Sequence, residues 1–337
     1  MKRLPSAASE SETKGSPPVS SETVFHRIGA FVLEYNLILI FLAIFIALSI
    51  SVRYFFTIQN LLGLALSVSQ IGMVACTMMF CLASRDFDLS VGSIVAFTGV
   101  LGATVVNATD NLWLGIGAAL FSGAIIGCVN GVIIAYLRIN ALITTLATME
   151  IVRGLAFISS HGPAVGVSNA DFIMFAGSSF LGISTPIWTT LVCFVLFGFL
   201  LNSTIYGRNT LAIGGNPEAS RLAGIQVERT RVIIFLVQGL VAGLAGVILA
   251  SRITSGQPNS AIGFELNVIS ACVLGGVSLK GGSATMLGVV VGVFILGTAE
   301  NVMNLLNIDA FYQYLVRGAI LLTAVLVDQQ RTRGDRD

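Results

Sequence analysis

Charged side chains are scarce in this chain. Asp, Glu, Lys and Arg make up 10% of its 337 residues, whereas 55% are hydrophobic and the mean hydropathy is +0.89. An average soluble domain carries roughly 25% charged residues. The composition therefore excludes a soluble globular protein, and the formal net charge of +1 gives no case for nucleic-acid binding.

Lysine is almost absent, which bears on ATP hydrolysis. The only lysines are Lys2, Lys14 and Lys280, and Lys280 is followed by Gly281. A phosphate-cradling loop needs the pattern G-x-x-x-x-G-K-[ST], and none of the three fits it. We therefore expect no ATPase activity and no catalytic constellation in this chain, so any ATP that drives it must be bound by another subunit.

Cysteine and histidine occur without the spacing that metal sites require. The histidines, His26 and His161, lie at unrelated positions. All the cysteines lie in apolar runs, and we interpret them as small packed hydrophobes. We expect no metal and no cofactor. The cysteines are Cys76, Cys81, Cys128, Cys193 and Cys272.

Apolar residues are present in long blocks rather than at alternating positions, which favours membrane-spanning helices over a β-barrel. A span needs about 20 residues. The sequence predicts an all-α membrane protein, a polytopic helical bundle with about ten transmembrane spans. The third, eighth and ninth are short and rich in glycine, so we expect broken helices or a re-entrant pair there. The predicted spans are 36–52, 61–83, 91–106, 112–137, 141–159, 186–201, 232–251, 267–279, 284–297 and 312–327.

The pattern divides the chain into three regions. The first residues are rich in Ser, Glu, Lys and Pro, which predicts a disordered tail over 1–30. Residues 31–328 form the transmembrane domain, and 329–337 form a short C-terminal tail. No cleavable signal peptide is expected, because the first apolar run starts near Asn36 and no small-residue cleavage pattern follows it.

Basic residues are distributed unevenly between the two sides of the predicted spans. If both termini are cytoplasmic, only Arg53 and Arg252 face outward, and Arg153 and Arg317 fall within spans. All other basic residues face inward, as the positive-inside rule requires. We therefore predict that both termini and the loop 203–231 are cytoplasmic.

A short helix is predicted inside this loop. Asn216 can cap its start, Pro217 suits the first helical position, and Gly224 can end it. Glu218 then lies in the first turn, where negative charge suits the helix dipole. Two interpretations remain open: an ordinary solvated connector, or a surface that inserts into a cleft on an ATPase.

The residues of this helix resemble the EAA loop of ABC importer permeases. That pattern reads Glu-Ala-Ala, three residues, Gly, nine residues and Ile-x-Leu-Pro. This chain has Glu218-Ala219-Ser220, then Gly224, then Ile234 and Leu236. It departs from the pattern at Ser220, which replaces Ala, and at Val237, which replaces Pro. The resemblance implies that Glu218, Ala219, Ser220, Arg221 and Gly224 couple the chain to an ATPase.

A wider resemblance covers residues 37–328. The chain is similar to permeases of the ribose/xylose/arabinose branch of bacterial ABC sugar importers, and within that branch to L-arabinose permeases. The motifs that carry the resemblance are DLSVGS (88–93), NALITTLATMEIVRG (140–154), YGRNTLAIGGNPEASRLAGI (206–225), SRITSGQP (251–258), SACVLGGVSLKGGS (270–283), AENVMNLLNI (299–308) and AVLVD (324–328).

This resemblance implies a function and a set of partners. The chain would be the permease of an inner-membrane importer that moves a monosaccharide, a pentose such as L-arabinose, by alternating access. Its partners would be a second permease copy, a cytoplasmic ABC ATPase subunit, a periplasmic sugar-binding protein and the lipid bilayer. The alternative is a secondary sugar transporter driven by an ion gradient, for which the acidic residues would be ion sites.

Polar residues within or directly beside the predicted spans are candidates for the substrate pathway, because charge at mid-bilayer costs roughly 2.5–3.5 kcal/mol. Several have a structural interpretation as well. Glu150 and Arg153 are close enough on one helix to pair, Arg85 is near enough to offset Asp86 or Asp88, and Asp88 can cap the next helix. The candidates are Asp88, Ser90, Asn140, Thr144, Thr145, Glu150, Arg153, Glu300 and Asn301.

Overall fold

The computed structural model describes residues 36–334, so the predicted tail 1–30 lies outside the described residues. The described part is built almost entirely from helices, with four two-residue strands. The helices are α1 (Asn36–Ser51), α2 (Ile58–Ala83), α3 (Val91–Thr109), α4 (Leu112–Ala135), α5 (Ala141–Ser160), α6 (Ala170–Gly177), α7 (Thr185–Ser203), α8 (Ile205–Gly215), α9 (Pro217–Leu222), α10 (Val227–Arg252), α11 (Phe264–Leu274), α12 (Met286–Leu305) and α13 (Ala310–Gly334). The strands are β1 (Val165–Gly166), β2 (Ser179–Phe180), β3 (Ile183–Ser184) and β4 (Ser255–Gly256).

Asparagine side chains mark the start of several helices. Asn111, Asn140, Asn169 and Asn216 each precede a helix and accept hydrogen bonds from backbone N–H groups of its first turn. These N–H groups have no partner within the helix. The sequence therefore fixes where α4, α5, α6 and α9 begin.

The helical architecture confirms an all-α, polytopic membrane protein. Seven helices of the described part are long and apolar enough to cross a membrane: α2, α3, α4, α5, α7, α10 and α12. Three further apolar segments are shorter, at Leu37–Ser51, Phe264–Leu274 and Phe311–Leu326.

The helices at the third, eighth and ninth predicted spans differ in length. The expectation of short helices at the third and ninth spans was wrong, since α3 has 19 residues and α12 has 20. Of these three, only α11 is short, with 11 residues. Gly275 and Gly276 follow α11 immediately, and Gly276 has a φ of +81°, so the chain turns there. The tenth span lies in α13, which continues through residue 334.

Glycines allow close packing where α10 crosses α4. A Cβ at Gly123 would overlap the carbonyl oxygen of Gly239, and one at Gly127 would overlap that of Phe235. The two backbones therefore approach each other directly, as small residues allow in membrane helices. The same central region buries Cys76 and Cys272, and the Cys272 thiol contacts the carbonyl oxygen of Ala75 at 3.5 Å.

The two ends of the bundle carry different elements. At one end, α8 and α9 lie beside the C-terminus of α2 and the segment 275–285. At the other end, β1 pairs with β4 antiparallel, with Val165 opposite Gly256, and β2 pairs with β3. The first end is called the α9 end below.

Candidate functional site

The predicted helix in the loop 203–231 is present as α9. The side-chain Oδ1 of Asn216 accepts hydrogen bonds from the N–H groups of Glu218 and Ala219, both at 3.1 Å, and Pro217 is the first helical residue. The predicted start is therefore confirmed. The segment 203–231 is mostly helical rather than a loop. α8 fills residues 205–215, and α10 begins at Val227, five residues before the predicted span.

Gly224 ends α9 through its backbone conformation. Its φ is +86°, its N–H donates to the Arg221 carbonyl at 3.1 Å, and the Ile225 N–H donates to the Ser220 carbonyl at 3.0 Å. This pair of bonds is a Schellman motif. A Cβ at Gly224 would meet nothing within 4 Å, so the position requires glycine for its φ and not for space.

Ion pairs hold α9 against the start of α10. Arg221 bridges Glu218 at 2.7 Å and Glu228 at 2.6 Å. These hydrogen bonds raise the pKa of Arg221, first through Glu228 and then through Glu218. Ser220 is buried, whereas Leu222 is 90% exposed. The helix therefore presents an apolar tip beside a paired set of charges.

The departure at Val237 has a structural consequence. Ile234 is buried within α10, and this helix runs without interruption from Val227 to Arg252. Proline in the helix interior would remove a hydrogen bond and bend the helix. Valine at this position keeps α10 continuous from the α9 end into the bundle.

Backbone contacts join α8 to two other elements at the α9 end. A Cβ at Gly214 would overlap the Ala83 carbonyl oxygen, and that oxygen accepts the N–H of Gly282 at 2.9 Å. The Arg85 Nη2 donates to the Gly215 carbonyl at 2.7 Å. The end of α2, the end of α8 and the segment 275–285 therefore meet through backbone contacts at Gly214 and Gly282, with the Arg85 side chain packed beside them. We call this contact the glycine junction.

A charged cleft of about 590 Å³ lies beside α9. Within it, Asp86 pairs with Arg231 at 3.1 Å. Burial raises the pKa of Asp86 to about 6, although Arg231 and the Ser84 hydroxyl oppose the shift. The expectation that Arg85 offsets an aspartate was wrong, because the Arg85 side chain reaches the Gly215 carbonyl instead.

Asp88 belongs to a buried polar network. Its Oδ1 accepts from the Ser90 N–H at 2.9 Å and from the Ser90 hydroxyl at 2.6 Å. Asn130 Nδ2 donates to the Ser90 hydroxyl at 3.0 Å, and Thr148 donates to Asn130 Oδ1 at 2.6 Å. Asp88 thus binds the residue before α3, and the network links α3, α4 and α5.

Three other candidates lie near the start of α5. Asn140 accepts N–H bonds from Leu142 at 2.9 Å and Ile143 at 3.4 Å, and its side chain also lines the charged cleft. Thr145 donates to the Ala141 carbonyl at 2.9 Å. Thr144 and Thr145 are buried, so of these three only Asn140 is accessible.

Arg153 is not paired with Glu150. Salt bridges within 4.0 Å among residues 36–334 do not include Arg153. Its Nη1 donates instead to the carbonyls of Pro258 at 2.7 Å and Ser260 at 2.8 Å. The predicted pair was therefore wrong, because the Arg153 guanidinium donates to two backbone carbonyls instead. Glu150 is exposed on α5.

The last two candidates take part in contacts between helices. Glu300 pairs with Arg317 at 2.8 Å, which joins α12 to α13. Asn301 and Asn60 exchange side-chain amide hydrogen bonds of 2.8 and 3.0 Å, which joins α12 to α2. Such bonds are a common means of holding membrane helices together.

Sequence reasoning missed Glu265, which lies in the first turn of α11. A Cβ at Gly92 would overlap the Glu265 Oε2, so this carboxylate reaches the start of α3. In the sequence, Glu265 is only an acidic residue close to a predicted span. This position does not distinguish it from a residue on the protein surface.

These features define a class of protein. A bundle of apolar helices, with an exposed, capped short helix just before the long helix α10 and no ATP-binding motif, is the arrangement expected of the membrane-embedded permease subunit of a transporter.

The chain belongs to the family described as branched-chain amino acid transport system / permease component, whose model matches residues 60–325. It is 55% identical over 324 residues to the L-arabinose transport system permease protein AraH of Escherichia coli K12, covering 96% of this chain and 98% of that protein. It is 56% identical over 296 residues to the L-arabinose ABC transporter permease protein AraH of Azospirillum brasilense, covering 88% and 87%.

A more distant relative is the ribose import permease protein RbsC of Escherichia coli K12, 38% identical over 306 residues, covering 90% of this chain and 95% of that protein. No solved structure gives a significant match. These relatives confirm the branch of ABC importer permeases that the sequence motifs predicted. They give no support to a secondary transporter driven by an ion gradient.

Proposed function

We propose that this chain is the permease of an ATP-driven importer for L-arabinose. The observation that carries the proposal is its 55% identity, over nearly the whole of both chains, to a protein named as an L-arabinose permease. The identity to a ribose permease is 38%, which favours arabinose over ribose. The chain itself supplies the passage and leaves ATP hydrolysis to a partner.

The proposed assembly follows the family pattern. Two copies of the permease, a cytoplasmic ABC ATPase and a periplasmic sugar-binding protein work together in the bacterial inner membrane. The proposed topology has ten crossings, made by the seven long helices and the three shorter apolar segments, with both termini in the cytoplasm. The α9 end then faces the cytoplasm, which agrees with Arg85, Arg138, Arg221 and Arg231 lining one cleft there.

In this proposal α9 docks on the ATPase. Its exposed small residues allow close approach, and its exposed Leu222 provides apolar area. The Asn216 cap and the Gly224 turn keep the helix short and fixed in direction. ATP-driven closure of the partner moves α9, and the Arg221 ion pairs carry that motion to the start of α10.

The glycine junction gives the docking motion a second route into the bundle. Because Gly214 contacts the backbone of Ala83 directly, α8 cannot shift without displacing the end of α2. Gly282 is hydrogen-bonded to the same carbonyl, so the segment between α11 and α12 moves with it. A shift of α8 therefore moves α2, α11 and α12 together.

Uptake by reconstituted vesicles tests the proposal. The chain, its cognate ATPase and its sugar-loaded binding protein are placed in proteoliposomes, and labelled L-arabinose and D-ribose are compared. We expect L-arabinose uptake that requires ATP and the binding protein and is unaffected by an uncoupler. Uptake without ATP that collapses with an uncoupler would overturn the proposal, and preference for ribose would overturn the substrate.

A further inference from the structure

Three charged residues of the helical bundle are accessible away from the α9 end. Glu150 on α5 is exposed, and Arg153 on α5 and Glu265 on α11 are half-buried. By contrast, Asp88 and Ser90 have no exposed area. Charged residues of membrane helices almost always face the bundle interior or water rather than hydrocarbon. These three side chains therefore require water or a polar partner beside them.

Arg153 has donors left for a ligand. Both of its hydrogen bonds within the described residues use Nη1, to the carbonyls of Pro258 and Ser260. These bonds fix the guanidinium in place and tie α5 to the segment before α11. Nη2 and Nε make no hydrogen bond among residues 36–334, so they remain available.

Glu265 has space made for it by the absence of a side chain at Gly92. A Cβ at Gly92 would overlap Glu265 Oε2 and would lie 2.6 Å from the Ala261 carbonyl oxygen. Gly92 belongs to the DLSVGS motif, just after the buried Asp88 network. The carboxylate is therefore held where α3, α5 and α11 converge.

We propose that Arg153, Glu150 and Glu265 form a polar sugar site on the translocation path, with Glu265 as a specificity-determining acceptor. This inference rests on the proposed function. A neutral monosaccharide offers hydroxyl groups that donate to carboxylates and accept from a guanidinium. Each such hydrogen bond replaces one that the sugar or the side chain makes to water, so a few of them make a weak, transient site. Such a site suits a passage that receives sugar from a separate binding protein.

The site changes when α5 and α11 separate. Arg153 is anchored to the segment 258–260, and Glu265 starts the helix that follows that segment. If α11 moves with the glycine junction during transport, the donor and the acceptor move relative to each other. Arg153 is therefore a positioning residue as well as a donor.

Glu265→Gln tests the inference in the complete importer with its ATPase and binding protein. We expect initial L-arabinose uptake to fall at least tenfold, ATP hydrolysis stimulated by the loaded binding protein to persist, and the uptake ratio of L-arabinose to D-ribose to change. Asp171→Asn, an acidic residue of the short helix α6, is the matched control and should transport normally. If Glu265→Gln shows the same uptake and selectivity as the wild-type chain, the proposed sugar site is wrong. Absence of ATP-dependent uptake by the wild-type chain would instead overturn the proposed function.

Two further variants guard against simple misfolding. Glu265→Asp keeps the carboxylate and should recover more uptake than Glu265→Gln, whose amide oxygen is only a neutral acceptor. Equal loss in both would contradict the role of the charged acceptor. Glu265→Cys should react with a hydrophilic thiol reagent, and turnover with L-arabinose should slow the reaction at least threefold relative to D-glucose. A thiol that reacts no faster than the wild-type background would overturn the accessible location.

Discussion

At the residue scale, the glycines of this protein act in two different ways. Gly224 is required for its positive φ, while the space around it is empty. Gly127 has ordinary helical geometry, but its missing side chain lets α10 touch α4. The same residue type thus provides a turn at the docking helix and close packing in the bundle.

Replacing Gly224 with alanine should weaken the end of α9. A left-handed residue with a side chain costs roughly 1–2 kcal/mol, and no clash adds to this. We expect near-normal insertion and thermal stability but a lower ratio of sugar transported to ATP hydrolysed. Gly63→Ala, at an open helical position of α2, is the control. If Gly224→Ala transports with the wild-type ratio, α9 does not couple the two activities.

Asp86 should make the stability depend on pH. Its pKa rises from an ordinary 3.8 to about 6 in the folded protein, so the folded state holds the proton more tightly. Stability should fall as pH rises through this window, by on the order of 3 kcal/mol in total, and stay level above it. Thermal unfolding in detergent from pH 4 to 7 should show this slope. Asp86→Asn should reduce the slope without removing it, because burial also raises the pKa of the neighbouring Asp88 to about 6. An unchanged slope in that variant would rule out Asp86 as its source.

At the element scale, contacts between backbones decide how the helices are arranged. Backbone meets backbone directly both at the α4–α10 crossing and at Gly214 of the glycine junction. Such contacts leave little room for independent movement, so the elements that share them move as one body. The capped helix α9 is attached to this body through Arg221 and α8.

Gly127→Ala should disrupt the α4–α10 crossing. Its Cβ would overlap the Phe235 carbonyl oxygen, and overpacking of this kind typically costs 1–3 kcal/mol. We expect a lower melting temperature and a lower yield of folded protein in detergent. Gly117→Ala, in the same helix but facing open space, should be neutral or slightly stabilising. Equal behaviour of the two variants would contradict the close crossing.

Arg85→Met tests the glycine junction without a steric clash. It removes the hydrogen bond to the Gly215 carbonyl and keeps the length of the side chain. We expect ATP hydrolysis by the assembled importer to persist while sugar uptake falls several-fold, because α8 is released from the end of α2. Lys280→Met, an exposed cation of the neighbouring segment, serves as the control. Uptake and hydrolysis that fall in equal proportion would argue against a transmitting role.

At the scale of the whole molecule, the arrangement predicts opposite labelling of its two ends. Leu222 is 90% exposed in α9 and Leu181 is 79% exposed near β2 and β3. In intact cells, an impermeant maleimide should label Leu181→Cys but not Leu222→Cys, and inverted vesicles should show the reverse. Wild-type chain gives the background, since four native thiols are buried and Cys128 is half-buried. Labelling of both positions from one side would reject the proposed topology.

The sequence by itself determined the class of protein and the local structure of the docking helix. Apolar blocks specify membrane helices because a buried backbone must satisfy its own hydrogen bonds. The start and end of α9 followed from Asn216, Pro217 and Gly224, whose preferences are local. The family motifs likewise gave the ABC permease branch.

Only the tertiary structure decided the partners of the polar residues. Arg153 was expected to pair with its neighbour on the same helix and binds Pro258 and Ser260 instead. Arg85 reaches Gly215, and Glu265 reaches Gly92 across the bundle. A long charged side chain has many possible hydrogen-bond partners within its reach. Which of them it binds depends on elements that are far away in the chain. Spacing along one helix cannot specify such contacts, whereas it does specify a cap.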